Sequence, residues 1–129
     1  MRILDTVHHL QVGLDYHMQR HNLLTSNLAQ VDTPNYKPVD LQRTPAFEKV
    51  LGATLSATHE GHFGIAQKPE LGKVVNDPGA SPGGDGNGVS LEREAVKIAA
   101  NNVRYDVIAN LVSNELSTLG WAANDGRNG

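Results

Sequence analysis

The sequence predicts a mainly α protein. Two long helices, one at each end, pair as an antiparallel coiled coil across an irregular middle with one short helix and room for a small β-hairpin. Three observations predict it. Counting from Ile3 in alternating steps of four and three gives Val7, Leu10, Leu14, His17, His21, Leu24, Leu28 and Val31, apolar at every place but the two histidines. The same count from Leu91 gives Ala95, Ile98, Asn102, Tyr105, Ala109, Val112, Leu116 and Leu119. Apolar repeats at this spacing, sustained over about four heptads, mark helices that pack along a seam. Between the two runs the period dissolves, and residues 76–88, NDPGASPGGDGNG, have the composition of a flexible linker.

The elements follow in order. The first helix occupies residues 1–33, with Gly13 its one interior weakness, about 1 kcal/mol relative to Ala. Thr33 precedes Pro34 and is pushed towards extended backbone, so the helix frays between Gln30 and Asp32. Pro34-Asn35 is a turn signal, with Asn35 suited to a left-handed conformation. In the middle, residues 34–89, Thr44 reads as the N-cap of a short helix beginning at Pro45 and stopped by Gly52. His62 to Val75 carries a weak strand signal. The last helix spans 90–120: Ser90 is its N-cap, and Glu92 and Glu94 put negative charge near the positive end of the helix dipole. Gly120 is placed to end it in a left-handed turn, with Trp121 folding back over Leu116 and 121–129 left as a tail.

On the far side of the last helix lies a second apolar row: Val96, Ala100, Val103, Val107 and Leu111. A helix apolar on two sides is buried on two sides, and one partner helix covers only one of them. In a chain of 129 residues with two Phe, three Tyr and one Trp, little else is available to cover the second row. Other copies or other subunits are the expected cover.

The totals exclude several classes. Net charge is −3 with both signs mixed along the chain, so neither nucleic acid nor an anionic membrane is an expected partner. With no cysteine there are no disulfides and no thiolate chemistry. No apolar run reaches the roughly 20 residues of a membrane span. Asp5, His8, His9 and Gln11 interrupt any signal-peptide core, so no cleaved signal is expected.

Histidine is the one hint of reactive chemistry. His17 and His21, four residues apart, have a spacing that suits a shared metal, but they lie on the seam and no cysteine completes a ligand set. They read better as a polar layer that fixes register. If Ile3 is level with Leu119, His17 faces Tyr105 and His21 faces Asn102. His59-Glu60-Gly61-His62 lacks the two-residue spacer of the zinc-protease motif. The glycines of 79–88 lack the Lys-Ser/Thr ending of a phosphate loop, and Asp77, Asp85 and Asn87 lack EF-hand spacing. No catalytic residue, metal or cofactor is expected.

Two stretches carry a family resemblance. NLAQVDTPNYK, Asn27 to Lys37, resembles the signature at the end of the first helix in bacterial flagellar rod and hook axial proteins, with Asn27, Thr33, Pro34 and Tyr36 in place. DGNGVSLEREAVKIAANNVRY, Asp85 to Tyr105, is similar to the family's second motif, through Asn87, Val89, Glu92 and Glu94. THEGHFGI, Thr58 to Ile65, is similar to a segment of the short B-type subunits of the proximal rod.

The resemblance implies a non-enzymatic structural subunit of the basal body. Its terminal helices would assemble a helical drive-shaft around the export channel. Its partners would be other copies of itself, other flagellar rod proteins, the basal-body adaptor protein, the MS ring and the flagellar type III export apparatus. It would lie on the periplasmic side, exported without a cleaved signal. Apart from the resemblance, the residues also suit a cytoplasmic coiled-coil adaptor or regulator that binds partner helices.

Overall fold

The computed structural model of the protein describes residues 2–49 and 71–124. In chain order these form a helix Arg2–Ala29, strand β1 (Val39–Arg43), strand β2 (Gly72–Asn76) and a helix Leu91–Ala123. The fold is mainly helical, as the two heptad runs predict. The long helices run antiparallel: Asn27 meets Glu94, His17 meets Asn101, and Gly13 lies against Ile108. Gly13 is therefore more than a weak point. A Cβ there would stand 3.2 Å from Ile108 Cδ1, so the missing side chain lets the helices approach.

The first helix ends at Ala29, and the bonds Gln30 N to Asn27 O and Val31 N to Leu28 O tighten its last turn. Asn35 then adopts φ 59°, the left-handed residue the Pro-Asn pair predicts. Residues 45–49 are helical, with Thr44 as the expected cap: its Oγ1 and carbonyl both accept from Phe47 N–H. The Gly52 stop, the strand signal before residue 71 and the histidines at 59 and 62 lie outside the described residues.

β1 and β2 form a two-stranded antiparallel sheet, with Leu41 opposite Val74 and Arg43 opposite Gly72. The hydropathy pattern gives β1 no strand signal. What makes it a strand is tertiary: Leu41 is buried, and Asn27 on the first helix bonds both backbone groups of Val39. Leu41 joins Tyr16, Phe47 and Leu71 in a small core beside the first helix, edged by Val12 and Leu23. The Tyr16 ring lies 4.8 Å from that of Phe47, and its hydroxyl donates to Leu41 O at 2.7 Å, so a buried polar tip is satisfied. The first helix is thus covered on two sides, by the sheet and by the last helix.

Two expectations for the C-terminal half are corrected. Residues 76–88, expected to be a flexible linker, end β2 and then fold as a hydrogen-bonded loop. Asp77 N–H donates to Pro38 O, Asn35 N–H to Asp85 O, and Gly88 N–H to Tyr36 O. The one positive-φ glycine among the described residues, Gly86 at φ 77°, sits where a Cβ would collide with Asn35 Oδ1. Gly86 and Gly88 let this loop pack closely on the turn from Asn35 to Pro38.

The last helix does not stop at Gly120. It continues to Ala123, capped at Asn124, whose N–H bonds Gly120 O. Two alanines beyond Trp121 are strong helix formers and offset the glycine. Trp121 and Leu116 are both exposed, so neither covers the other.

Candidate assembly interface

The chain's polar groups converge where the helices part. Asn27, wholly buried, uses its full capacity. Its Nδ2 donates to Val39 O at 2.7 Å and Glu94 Oε2 at 3.1 Å; its Oδ1 accepts from Val39 N at 3.0 Å and Tyr36 Oη at 3.3 Å. Glu94, 1% exposed, takes its second partner from Lys97 Nζ at 2.9 Å. Lys97 also bonds Asp77 Oδ2 at 2.6 Å, tying the loop after β2 to the helix. Burial lowers the Lys97 pKa, but its bonds to Asp77 and Glu94 outweigh that and the net shift is upward. Asp77 moves the other way: burial raises its pKa, while Lys97 and the Gly79 N–H hold it below the ordinary range.

Asn87 closes the same region from the loop. Its Nδ2 donates to the carbonyls of Gln30, Val31 and Thr33 at 2.9, 2.8 and 2.7 Å, and its Oδ1 accepts from Val89 N–H. Carbonyls at and after a helix end lack intrahelical donors, and one buried amide supplies them here. On the other flank Arg20 grips Asp40 bidentately, Nε to Oδ1 at 2.8 Å and Nη2 to Oδ2 at 2.9 Å. Burial raises the Asp40 pKa, but the Arg20 bonds and the Leu41 N–H outweigh it and leave the pKa lowered.

The motif residues are therefore brought together. Asn27, Tyr36 and Glu94 share one network; Asn87, with Val89 on its Oδ1, adjoins it through the Thr33 carbonyl, which also accepts from Tyr36 N–H; Pro34 lies on the exposed turn, and Glu92 faces solvent. Glu94 acts through direct bonds inside the hairpin, beyond the dipole role its position suggests. Lys97, Asp77 and Asn101 were not foreseen. Their one sequence signal is polarity inside otherwise apolar or turn-forming stretches.

Along the first-helix register His17 and Leu24 are buried, and Val7, Leu10, Leu14, His21, Leu28 and Val31 are half-buried. The side chain of Ile3 is outside the described residues. In the last helix the seam is corrected. Ile98, Tyr105, Ala109, Val112 and Leu119 are half-buried, but Leu91, Ala95, Asn102 and Leu116 are exposed. Their places are taken by Glu94, Asn101, Ile108 and Glu115, a turn of about 50° about the helix axis. Apolar counting favours alanine and leucine over glutamate and asparagine; the fold buries the polar pair because each finds partners on the first helix. His17 Nδ1 is 2.8 Å from Asn101 Oδ1, and Asn101 Nδ2 donates to His17 O at 2.7 Å. His17, His21, Asn102 and Tyr105 line one cleft of about 180 Å³ together with Met18 and Asn101. The direct partner of His17 is Asn101, one residue from the position expected to face His21.

That turn widens the uncovered surface. Val96, Ala100, Val103, Val107 and Leu111 are all exposed, Val96 to 69%, joined by Leu91, Leu116 and Trp121. A protein with few fully buried large apolar side chains thus holds a continuous apolar face in solvent. Among the described residues no group of three or more His, Cys, Asp or Glu side chains is placed to hold a metal ion. Among them, too, no helix is long and apolar enough to cross a membrane.

Fold and site define a class: a two-helix structural protein whose buried polar groups hold its own hairpin and whose last helix keeps an open apolar face. Its relatives are specific. The chain is 36% identical over 106 residues to the flagellar basal body rod protein FlgB of Aquifex aeolicus, covering 82% of each chain. It is 34% identical over 101 residues to that of Cereibacter sphaeroides, covering 78% of this chain and 79% of the relative. To that of Salmonella typhimurium it is 26% identical over 119 residues, covering 84% and 86%. No family model matches the chain. It belongs to the flagellar basal body rod protein FlgB family.

Proposed function

We propose that this chain is a non-enzymatic subunit of the proximal rod of the bacterial flagellar basal body, assembling helically through the open face of its last helix. The observation that carries this is the exposed row Val96, Ala100, Val103, Val107 and Leu111, which no part of the described chain covers. Burying apolar area at about 25 cal/mol per Å² makes such a row a strong driver of association. Its contacts are other copies and other rod proteins, with the basal-body adaptor protein and the MS ring as neighbours at the base. The chain reaches the periplasmic side through the flagellar type III export apparatus and surrounds the export channel as part of the drive-shaft. Family membership supports the rod setting.

The test is a double substitution, Val103→Asp with Val107→Asp, followed by sedimentation of the purified chain alone and with rod partners, and by motility of cells carrying it. The expected result is unchanged monomer helicity, lost co-assembly and lost motility. Wild-type assembly by the variant overturns the reading. A discrete, stable dimer of the unmodified chain that ignores rod partners supports a coiled-coil adaptor instead.

A further inference from the structure

We infer that buried His17, bonded to Asn101, is a pH-sensitive lock in the middle of the helical hairpin: neutral, it fits the uncharged seam, and protonated it keeps the Asn101 bond but brings a charge that burial penalises. The geometry fixes the chemistry. Asn101 is 1% exposed and His17 3%, so both side chains are held largely out of water. Asn101 Nδ2 donates to the His17 carbonyl, which turns Asn101 Oδ1 towards the imidazole as an acceptor. His17 Nδ1 must then carry the hydrogen, and the next proton goes to Nε2. That proton places a full positive charge in the seam.

Among the described residues nothing in the seam compensates it. The charged groups that act on His17 from each packed element are cationic: Arg20 on its own helix, Arg43 on β1 and Arg104 on the last helix. The Tyr16 ring meets its edge at 5.2 Å, and His21 and Tyr105 share its cleft. Among the described residues no carboxylate bonds to His17. Arg20 is engaged by Asp40, and Glu94 by Asn27 and Lys97. Burial, only partly opposed by the Asn101 bond, lowers the His17 pKa from 6.5, and the three arginines lower it further.

The sign follows. A base whose pKa is lowered by folding leaves stability whole above its unfolded value; stability falls as pH drops below about 6.5, and stops falling below the folded value. The lock sits between the polar network at Asn27 and the Gly13–Ile108 contact, so weakening it separates the two halves of the hairpin.

The experiment is urea unfolding of the full-length chain, followed by helicity, at pH 7.5 and 5.5. His17→Asn serves as a variant that keeps a donor towards Asn101 and cannot titrate, and His21→Asn as a control. For the unmodified chain and the His21 variant, the folded-to-unfolded ratio falls up to about tenfold over this range, and for His17→Asn by less than twofold. Equal pH dependence in the unmodified chain and His17→Asn overturns the inference. A dilute chain without cooperative unfolding at pH 7.5 also overturns it, because the lock then closes nothing.

Discussion

Where the helices part, Asn27, Glu94, Lys97 and Asn87 have their polar groups matched within the chain, and Leu24 is fully buried. Towards the other end, Leu111, Leu116 and Trp121 stand in solvent, and most of the side chains from Leu111 to Asn124 are exposed. One helix spans both regions, so the difference lies in the partners that reach it. The loop from Asp77 to Val89 and the turn from Thr33 to Pro38 supply hydrogen bonds at the first end. At the second, among the described residues, only the start of the first helix is at hand. The contrast separates two tasks: a clasp that gives the hairpin its register within one molecule, and a face whose apolar area is covered by association.

The sharpest way to break the contrast is to open the clasp. Asn27→Ala leaves the backbone of Val39, the Tyr36 hydroxyl and one oxygen of buried Glu94 unpartnered. Urea unfolding should show a loss of about 3 kcal/mol or more, enough to abolish the monomer's hairpin. A loss below about 1 kcal/mol would mean that water replaces the amide and that the clasp is not a buried unit. Asn87→Ala comes next, at about 2 kcal/mol, because three carbonyls lose one donor group at the rim of the same network. Hydrogen exchange should show the loss concentrated at residues 30–36.

Gly13→Val probes the boundary between the regions. An isopropyl group against Ile108 forces the helices apart, and overpacking of this kind costs about 1–3 kcal/mol. Gly13→Ala should be close to neutral, since about 1 kcal/mol of helix propensity offsets a displacement of a few tenths of an ångström. Acid should act on the clasp side too. Asp40 and Asp77 have lowered pKa values, so their contribution is whole above the ordinary 3.8 and is lost as pH falls through their folded values. Arg20→Leu should reduce the loss below pH 4, where Asp40 titrates. The smallest effect on the monomer belongs to the open face: Val103→Ser with Leu111→Ser should change hairpin stability by no more than about 0.5 kcal/mol while removing assembly.

The sequence made the helices and the open row legible because a heptad count registers apolar spacing, and spacing is what those elements depend on. It misplaced one side of the last-helix seam because Glu94 and Asn101 are buried through hydrogen bonds, and partners distant in sequence leave no periodic trace. The Gly-rich loop misled for a related reason. Its composition signals freedom, yet Asn87, Asp77 and Gly88 are tied to the first helix and its exit turn. Resemblance marks Asn27, Asn87 and Glu94 as a set; that Asn27 bonds Glu94 while Asn87 bonds the carbonyls after the first helix is visible only in the fold. β1 had no signal at all, since Val39 and Leu41 become a strand through Asn27 and the Tyr16 core.

The central claim, a hairpin closed within the molecule at one end and completed by association at the other, is tested most directly by residue-resolved amide hydrogen exchange. The dilute chain and the chain assembled with rod partners are to be compared at one pH. The account predicts that in the dilute chain the amides of residues 20–28 and 94–105 exchange slowly. Those of 110–123 should exchange at least tenfold faster and become protected on assembly. Uniform protection along the last helix of the dilute chain, or protection gained chiefly near Asn27 and Glu94 on assembly, would contradict it.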